Sequence, residues 1–173
     1  MCIRDRDRRE PTCPSRRAFL ETAALASVAI ALPRRSSAAI RTLAAPVEFG
    51  VIADLHHDIM HDGEARLETF LAAMSKRSPD AILQLGDFAY PLPENEAVIR
   101  RFNQAHPRSL NVIGNHDLDR GVTKAQCVER FGMPGRHYAT DIGGIRLVVL
   151  DGNDRGSPAG RGGYPSYVGP EQV

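Results

Sequence analysis

The chain has 173 residues, 42% hydrophobic and 25% charged, which suits a soluble domain with a real core and excludes a disordered or fibrous chain. Its net charge of +1 is unevenly spread: residues 1–46 hold nine Arg against four acids, and residues 47–173 hold 13 Lys plus Arg against 17 acids. A mildly acidic body gives no electrostatic footprint for a phosphate backbone, so nucleic acid is not expected as a partner.

The basic head has the order of an export signal. Arg16-Arg17-Ala18-Phe19-Leu20 precedes an apolar stretch of eleven residues, 22–32, and the small residues Ser36-Ser37-Ala38-Ala39 follow. Such a stretch is too short to span a bilayer, which takes about 20 apolar residues. The Arg pair resembles a twin-arginine signal. Residues 1–45 are therefore expected to be signal peptide and linker, with cleavage after Ala39 or Ala45; an amphipathic N-terminal helix is the alternative. The expectation is an exported protein, periplasmic or extracellular, that meets the export machinery. No cysteine suited to lipidation follows the apolar stretch, so no permanent membrane anchor is expected. Residues 1–6 resemble translated adapter sequence and are set aside. Of the three cysteines, only Cys127 lies in the body, where it reads as a small buried hydrophobe.

The body, residues 46–173, alternates between two periods. Residues 47–53, 80–85 and 109–113 are short apolar runs, suited to parallel strands buried on both faces. Between them, Leu67, Phe70, Leu71 and Met74 mark one helix face, and Val98, Phe102 and Ala105 mark another. Thr123-Lys124-Ala125-Gln126 has the form of a capping box and opens a third helix through Phe131. This βαβαβ order predicts an α/β fold with right-handed crossovers. Residues 137–142 and 145–150 then read as a hairpin turned by Gly143-Gly144. A Gly- and Pro-rich loop covers residues 152–169, and Pro170-Glu171 has the form of a helix start.

Three clusters follow the three runs: Asp54-Leu55-His56, Gly86-Asp87-Phe88 and Gly114-Asn115-His116-Asp117. In an open parallel sheet, ligands gather beyond the carboxyl ends of the strands. Two carboxylates, an amide oxygen and two imidazoles placed there form a ligand set for a pair of divalent metals. Asp87 is the candidate bridge, because a shared carboxylate offsets the repulsion between two cations. Asp54 and His56 reach one ion and Asn115 the other. A hydroxide between the ions would attack phosphorus, and His116 would act on the phosphate or the leaving oxygen, oriented by Asp117.

Taken in order, the clusters resemble the calcineurin-like metallophosphoesterases over residues 47–151. The resemblance implies a four-layer α/β/β/α sandwich, of which this chain carries the βαβαβ half and is C-terminally truncated. It also implies two divalent ions, Mn, Fe or Zn, metal roles for Asp54, His56, Asp87 and Asn115, and a catalytic role for His116. The expected substrate is a small phosphate ester: a phosphomonoester, a phosphodiester or a nucleotide. The Gly-His and Gly-His-x-His motifs that complete the family's site are absent, and the only later histidine is His137. The fragment is therefore expected to be inactive alone, and a non-catalytic metal- or partner-binding domain is the alternative.

Several other residues have ordinary readings. His57, Asp58, His61 and Asp62 read as solvated loop residues. His106 reads as a cation at a helix end. Tyr90, Tyr164 and Tyr167 could stack on a ring or pack on the surface. Asp151 and Asp154 could approach the site or simply form a turn.

Overall fold

The computed structural model describes residues 42–156 and 166–173. The signal-like region, residues 1–41, lies outside them, as does Tyr164. None of the described helices is long and apolar enough to cross a membrane.

Three strands form a parallel sheet in the order β1-β2-β3: β1 (Phe49–Ile52), β2 (Ala81–Gln84) and β3 (Ser109–Asn111). The register sets Gly50 beside Ile82, Val51 beside Leu83, and Leu83 beside Leu110. Alternation then sorts the side chains. Ile52 and Ile82 face helices α1 (Gly63–Arg77), α2 (Glu96–Gln104) and α3 (Lys124–Phe131). Leu67, Ile99, Phe102, Cys127 and Phe131 close this main core, each at most 4% exposed. Phe88 packs on Phe102 with ring centroids 5.3 Å apart. Each such side chain contributes roughly 1.5–3 kcal/mol on burial.

The opposite face carries Phe49, Ala81, Leu83 and Leu110, and there the hairpin β4 (Tyr138–Ile142) and β5 (Ile145–Val149) packs through Ile142 and Leu147. The hairpin pairs antiparallel, and its turn is Gly143-Gly144, with φ of 59° and 85°. Positive φ at both central residues is what a two-residue hairpin turn requires, and only Gly adopts it without strain. Helices, parallel sheet and hairpin make a mixed α/β structure consistent with part of the expected sandwich.

The strands are shorter than the apolar runs because the chain turns early: Ala53 and Leu85 lie past the strand ends. The second run is also not apolar throughout. Gln84 is fully buried and donates from Nε2 to the carbonyl of Val112 at 3.0 Å, while its Oε1 accepts from the amide of Gly86 at 2.6 Å. A buried amide so paired ties the end of β2 to the end of β3. The capping box forms as predicted: Thr123 Oγ1 accepts from the Gln126 amide, and Gln126 Oε1 accepts from the Thr123 amide. Cys127 is buried as expected.

His106 also links two loops: its Nδ1 accepts from the Arg108 amide at 3.0 Å, and its Nε2 lies 3.0 Å from the carbonyl of Pro79.

Past β5 the chain is held by charge. Asp151, fully buried, lies 2.7 Å from Lys124 Nζ and 2.8 Å from Arg136 Nη1. Asp154 lies 2.6 Å from the same lysine and 3.0 Å from the same arginine, and Glu171 also pairs with Arg136. The two cations hold the carboxyls of Asp151 and Asp154 below the usual range, against the effect of burial. Asp151 also accepts from the Asn153 amide at 2.9 Å, so the predicted turn exists as well. Asn153 and Tyr167 bridge the two ends of the Gly-rich loop.

Candidate metal centre

The strand ends converge because their loops continue the sheet. The amide of Asp54 donates to Gly86, that of His56 to Asp87, and that of His57 to Phe88, at 3.2, 2.9 and 3.0 Å. To keep pairing while turning, the backbone takes positive φ at Asp54, His56 and Asp87: 53°, 46° and 52°. Only two other described non-glycine residues do so, Ser78 and Arg120. A side chain in that region costs on the order of 1 kcal/mol or more, and such strain concentrates at functional sites. Gly86 and Gly114 let the second and third loops touch. A Cβ on Gly114 would lie 2.2 Å from both the amide nitrogen and Oδ1 of Asp87.

This backbone brings three predicted ligands together. One ligand atom each from Asp54, His56 and Asp87 lies within 4.8 Å of the others. His56 Nε2 is 4.0 Å from Asp54 Oδ1 and 3.8 Å from Asp87 Oδ2. Those separations are too long for hydrogen bonds. They are short enough for two donors of one ion, which at about 2.1 Å each stand at most ~4.2 Å apart. The side chains are graded in exposure, 70% for Asp54, 23% for His56 and 12% for Asp87. Among the described residues, neither carboxylate pairs with a Lys or Arg side chain. Carboxylate oxygens with an imidazole nitrogen, held by a strained backbone and lacking a cationic partner, fit a divalent cation.

The third cluster closes on Asp87. The amide of His116 donates to Asp87 Oδ1 at 2.8 Å, and the rings of His56 and His116 meet edge to face at 5.2 Å. Asn115, one residue earlier, lines a cavity of about 410 Å³ with Asp119, Lys124 and Asn153.

Asp117 does not orient His116. Its carboxylate is buried and accepts three backbone amides: Asp87 at 3.0 Å, Phe88 at 3.0 Å and Gly114 at 2.8 Å. It pins the second loop to the third. Burial pushes its carboxyl up to about 7, against the pull of those amides toward the charged form. The partner of His116 is Asp119, whose Oδ2 stands 2.8 Å from Nδ1. That bond raises the pKa of His116, burial opposes it, and the charge of Asp87 adds to the rise. The spacing His-x-x-Asp on a short helical turn, His116–Gly121, could have signalled this pairing.

Neighbouring residues brace the rim. Asp58, read as a solvated loop residue, accepts from the Tyr90 amide at 2.6 Å and pairs with Asn95. Tyr90 carries the Arg120 guanidinium 5.7 Å from its ring centre. Asn153 donates to the carbonyl of Ile113 at 2.9 Å, just ahead of Gly114. His137 lies outside the carboxylate–imidazole group, with Nδ1 buried and unpartnered.

A parallel α/β sheet with carboxylates and an imidazole converging past its strand ends defines an α/β protein with a group compatible with a divalent metal where such sheets gather ligands. The model of the calcineurin-like phosphoesterase family matches residues 47–168, more than half of the chain, and the chain belongs to that family. The family implies a hydrolase acting on phosphate esters with divalent metals. No curated protein matches the chain.

Proposed function

We propose that the rim holds two divalent cations and serves hydrolysis of a small phosphate ester, with Asp54 and His56 on one cation, Asn115 on the other, and Asp87 shared. The observation that supports this most is the Asp54–His56–Asp87 group on strained backbone, with no Lys or Arg against its carboxylates among the described residues. When bound, the cations supply Lewis-acid polarisation of the phosphoryl group and of water.

The protein's own residues do the rest. Asp87 is held in place twice, by the His116 amide on Oδ1 and by the Asp117 carboxylate on its own amide. Asp119 fixes the His116 ring through Nδ1 and favours its protonated form. A fixed imidazolium beside the group can bind the phosphate or give a proton to the leaving oxygen. The metal could be Mn, Fe or Zn. Export to the periplasm or beyond, through a twin-arginine signal in residues 1–45, is part of the same proposal and is tested by N-terminal sequencing of the secreted protein.

The test of the chemistry is hydrolysis of nitrophenyl phosphate and bis-nitrophenyl phosphate by the Mn-loaded full-length protein, since the present residues alone are expected to be inactive. Turnover that Asp87→Ala abolishes supports the reading. Tight Mn binding with no turnover of either ester by the full-length protein favours the non-catalytic metal-binding domain. Absence of Mn binding contradicts both.

A further inference from the structure

The first metal loop is clamped from outside by a residue that the ligand pattern does not include. Arg66, on the first turn of α1, sends Nη2 to the carbonyl of Leu55 at 2.6 Å and Nη1 toward that of Asp54 at 3.5 Å. Its Nε donates to Asp62 Oδ1 at 3.1 Å. Asp62 stands at the N-cap of α1 yet makes no capping bond, because its carboxylate is turned to Arg66. Leu55, 1% exposed, sits between the two positive-φ residues Asp54 and His56, which present the ligands. The guanidinium thus grips the backbone at the centre of the strained turn.

We propose that Arg66 is a positioning residue for the metal centre: it holds the 54–56 turn in the shape that brings the Asp54 and His56 side chains to one cation. This rests on the metal reading of the rim. Two effects of Arg66 oppose each other. Its charge, close to the backbone of Asp54, repels a bound cation, while its fork preorganises the ligands. Positioning wins if the three contacts matter more than a partly solvated charge, and the fork geometry, which lysine lacks, is what supplies them.

The experiment titrates Mn²⁺ into the chelator-treated full chain, its Arg66→Lys and Arg66→Gln variants, and Asp54→Ala. Melting is followed in excess chelator and in excess Mn²⁺. The inference expects both Arg66 variants to weaken Mn²⁺ binding by about 10- to 100-fold, the range for residues that orient ligands. It expects the melting temperature in chelator to change far less than that in Mn²⁺. Tighter binding by Arg66→Gln overturns it, since charge then dominates. Unchanged affinity overturns it too, as does a loss of melting temperature equal with and without metal, which marks a merely structural residue. If Arg66→Gln does not fold, Arg66→Lys carries the same comparison. A wild-type chain that binds no Mn²⁺ removes the metal reading and this inference together, whereas wild-type binding lost in Asp54→Ala but kept in both Arg66 variants defeats this inference alone.

Discussion

Two groupings of carboxylates in this molecule have opposite electrostatics. At the rim, Asp54 and Asp87 face each other across His56 with no Lys or Arg on either carboxylate among the described residues. Past β5, Asp151, Asp154 and Glu171 are met by Lys124 and Arg136 at hydrogen-bonding distance. The second group is a finished structure that needs nothing else. The first is unbalanced and sits on backbone that is itself strained. Its geometry is compatible with a divalent cation. Sequence alone cannot separate them, because both present Asp residues just past a strand.

The difference can be broken from either side. The largest effect is expected at Gly114, where the two loops touch. Gly114→Ala places a Cβ 2.2 Å from Asp87 backbone and side chain, which has no room to give. We expect a loss of about 3 kcal/mol in urea unfolding, with loss of Mn²⁺ binding. A variant of near-normal stability and affinity would show that the loop contact is not tight.

Asp151→Asn attacks the balanced group. It leaves two cations to share the remaining carboxylates, and breaking a buried pair costs about 3 kcal/mol at the low end of the usual range. Its pH dependence sharpens the contrast. Asp151 and Asp154 have folded pKa values below their unfolded ones. Their contribution is therefore complete above the unfolded value near 4 and is lost as pH falls through the folded values. Stability measured from pH 6 down to 2 should fall in the wild type and fall less steeply in the Asp151→Asn, Asp154→Asn double variant. Parallel curves would contradict the assignment.

A smaller effect is expected at Asp117, which joins the rim without being a ligand. An Asn there turns an NH₂ toward at least one of three amide donors. The unsatisfied donor costs about 1–3 kcal/mol, read as a lowered unfolding midpoint. Hydrogen exchange at the Asp87, Phe88 and Gly114 amides should speed up in the same variant, and unchanged exchange would speak against the pin.

What the sequence made legible follows the same division. Helix faces such as Leu67, Phe70, Leu71 and Met74 were readable because periodicity is local. The capping box at Thr123 and the Gly143-Gly144 turn were readable for the same reason. The grouping of Asp54, His56 and Asp87 was readable because each follows an apolar run. The supports were not. Asp117 bonds amides 29 and 30 residues away, and Asp151 pairs with Arg136 across a whole hairpin. Nothing in local spacing encodes such pairs. Gln84 was hidden in another way: a polar residue in a buried strand reads as noise until its partners are seen.

The central claim is that the rim is unbalanced by design of its geometry and takes up a cation. The most direct test compares calorimetric Mn²⁺ titrations of the chelator-treated wild type and Asp87→Asn, with urea unfolding of both in chelator. The Asn keeps an oxygen for the His116 amide but removes the shared charge. The account predicts that Mn²⁺ binding falls at least tenfold while stability without metal stays within about 0.5 kcal/mol, since the Asn keeps the bond to the His116 amide. Equal Mn²⁺ affinity in the two proteins, or a metal-free variant destabilised as strongly as Asp151→Asn, would contradict it.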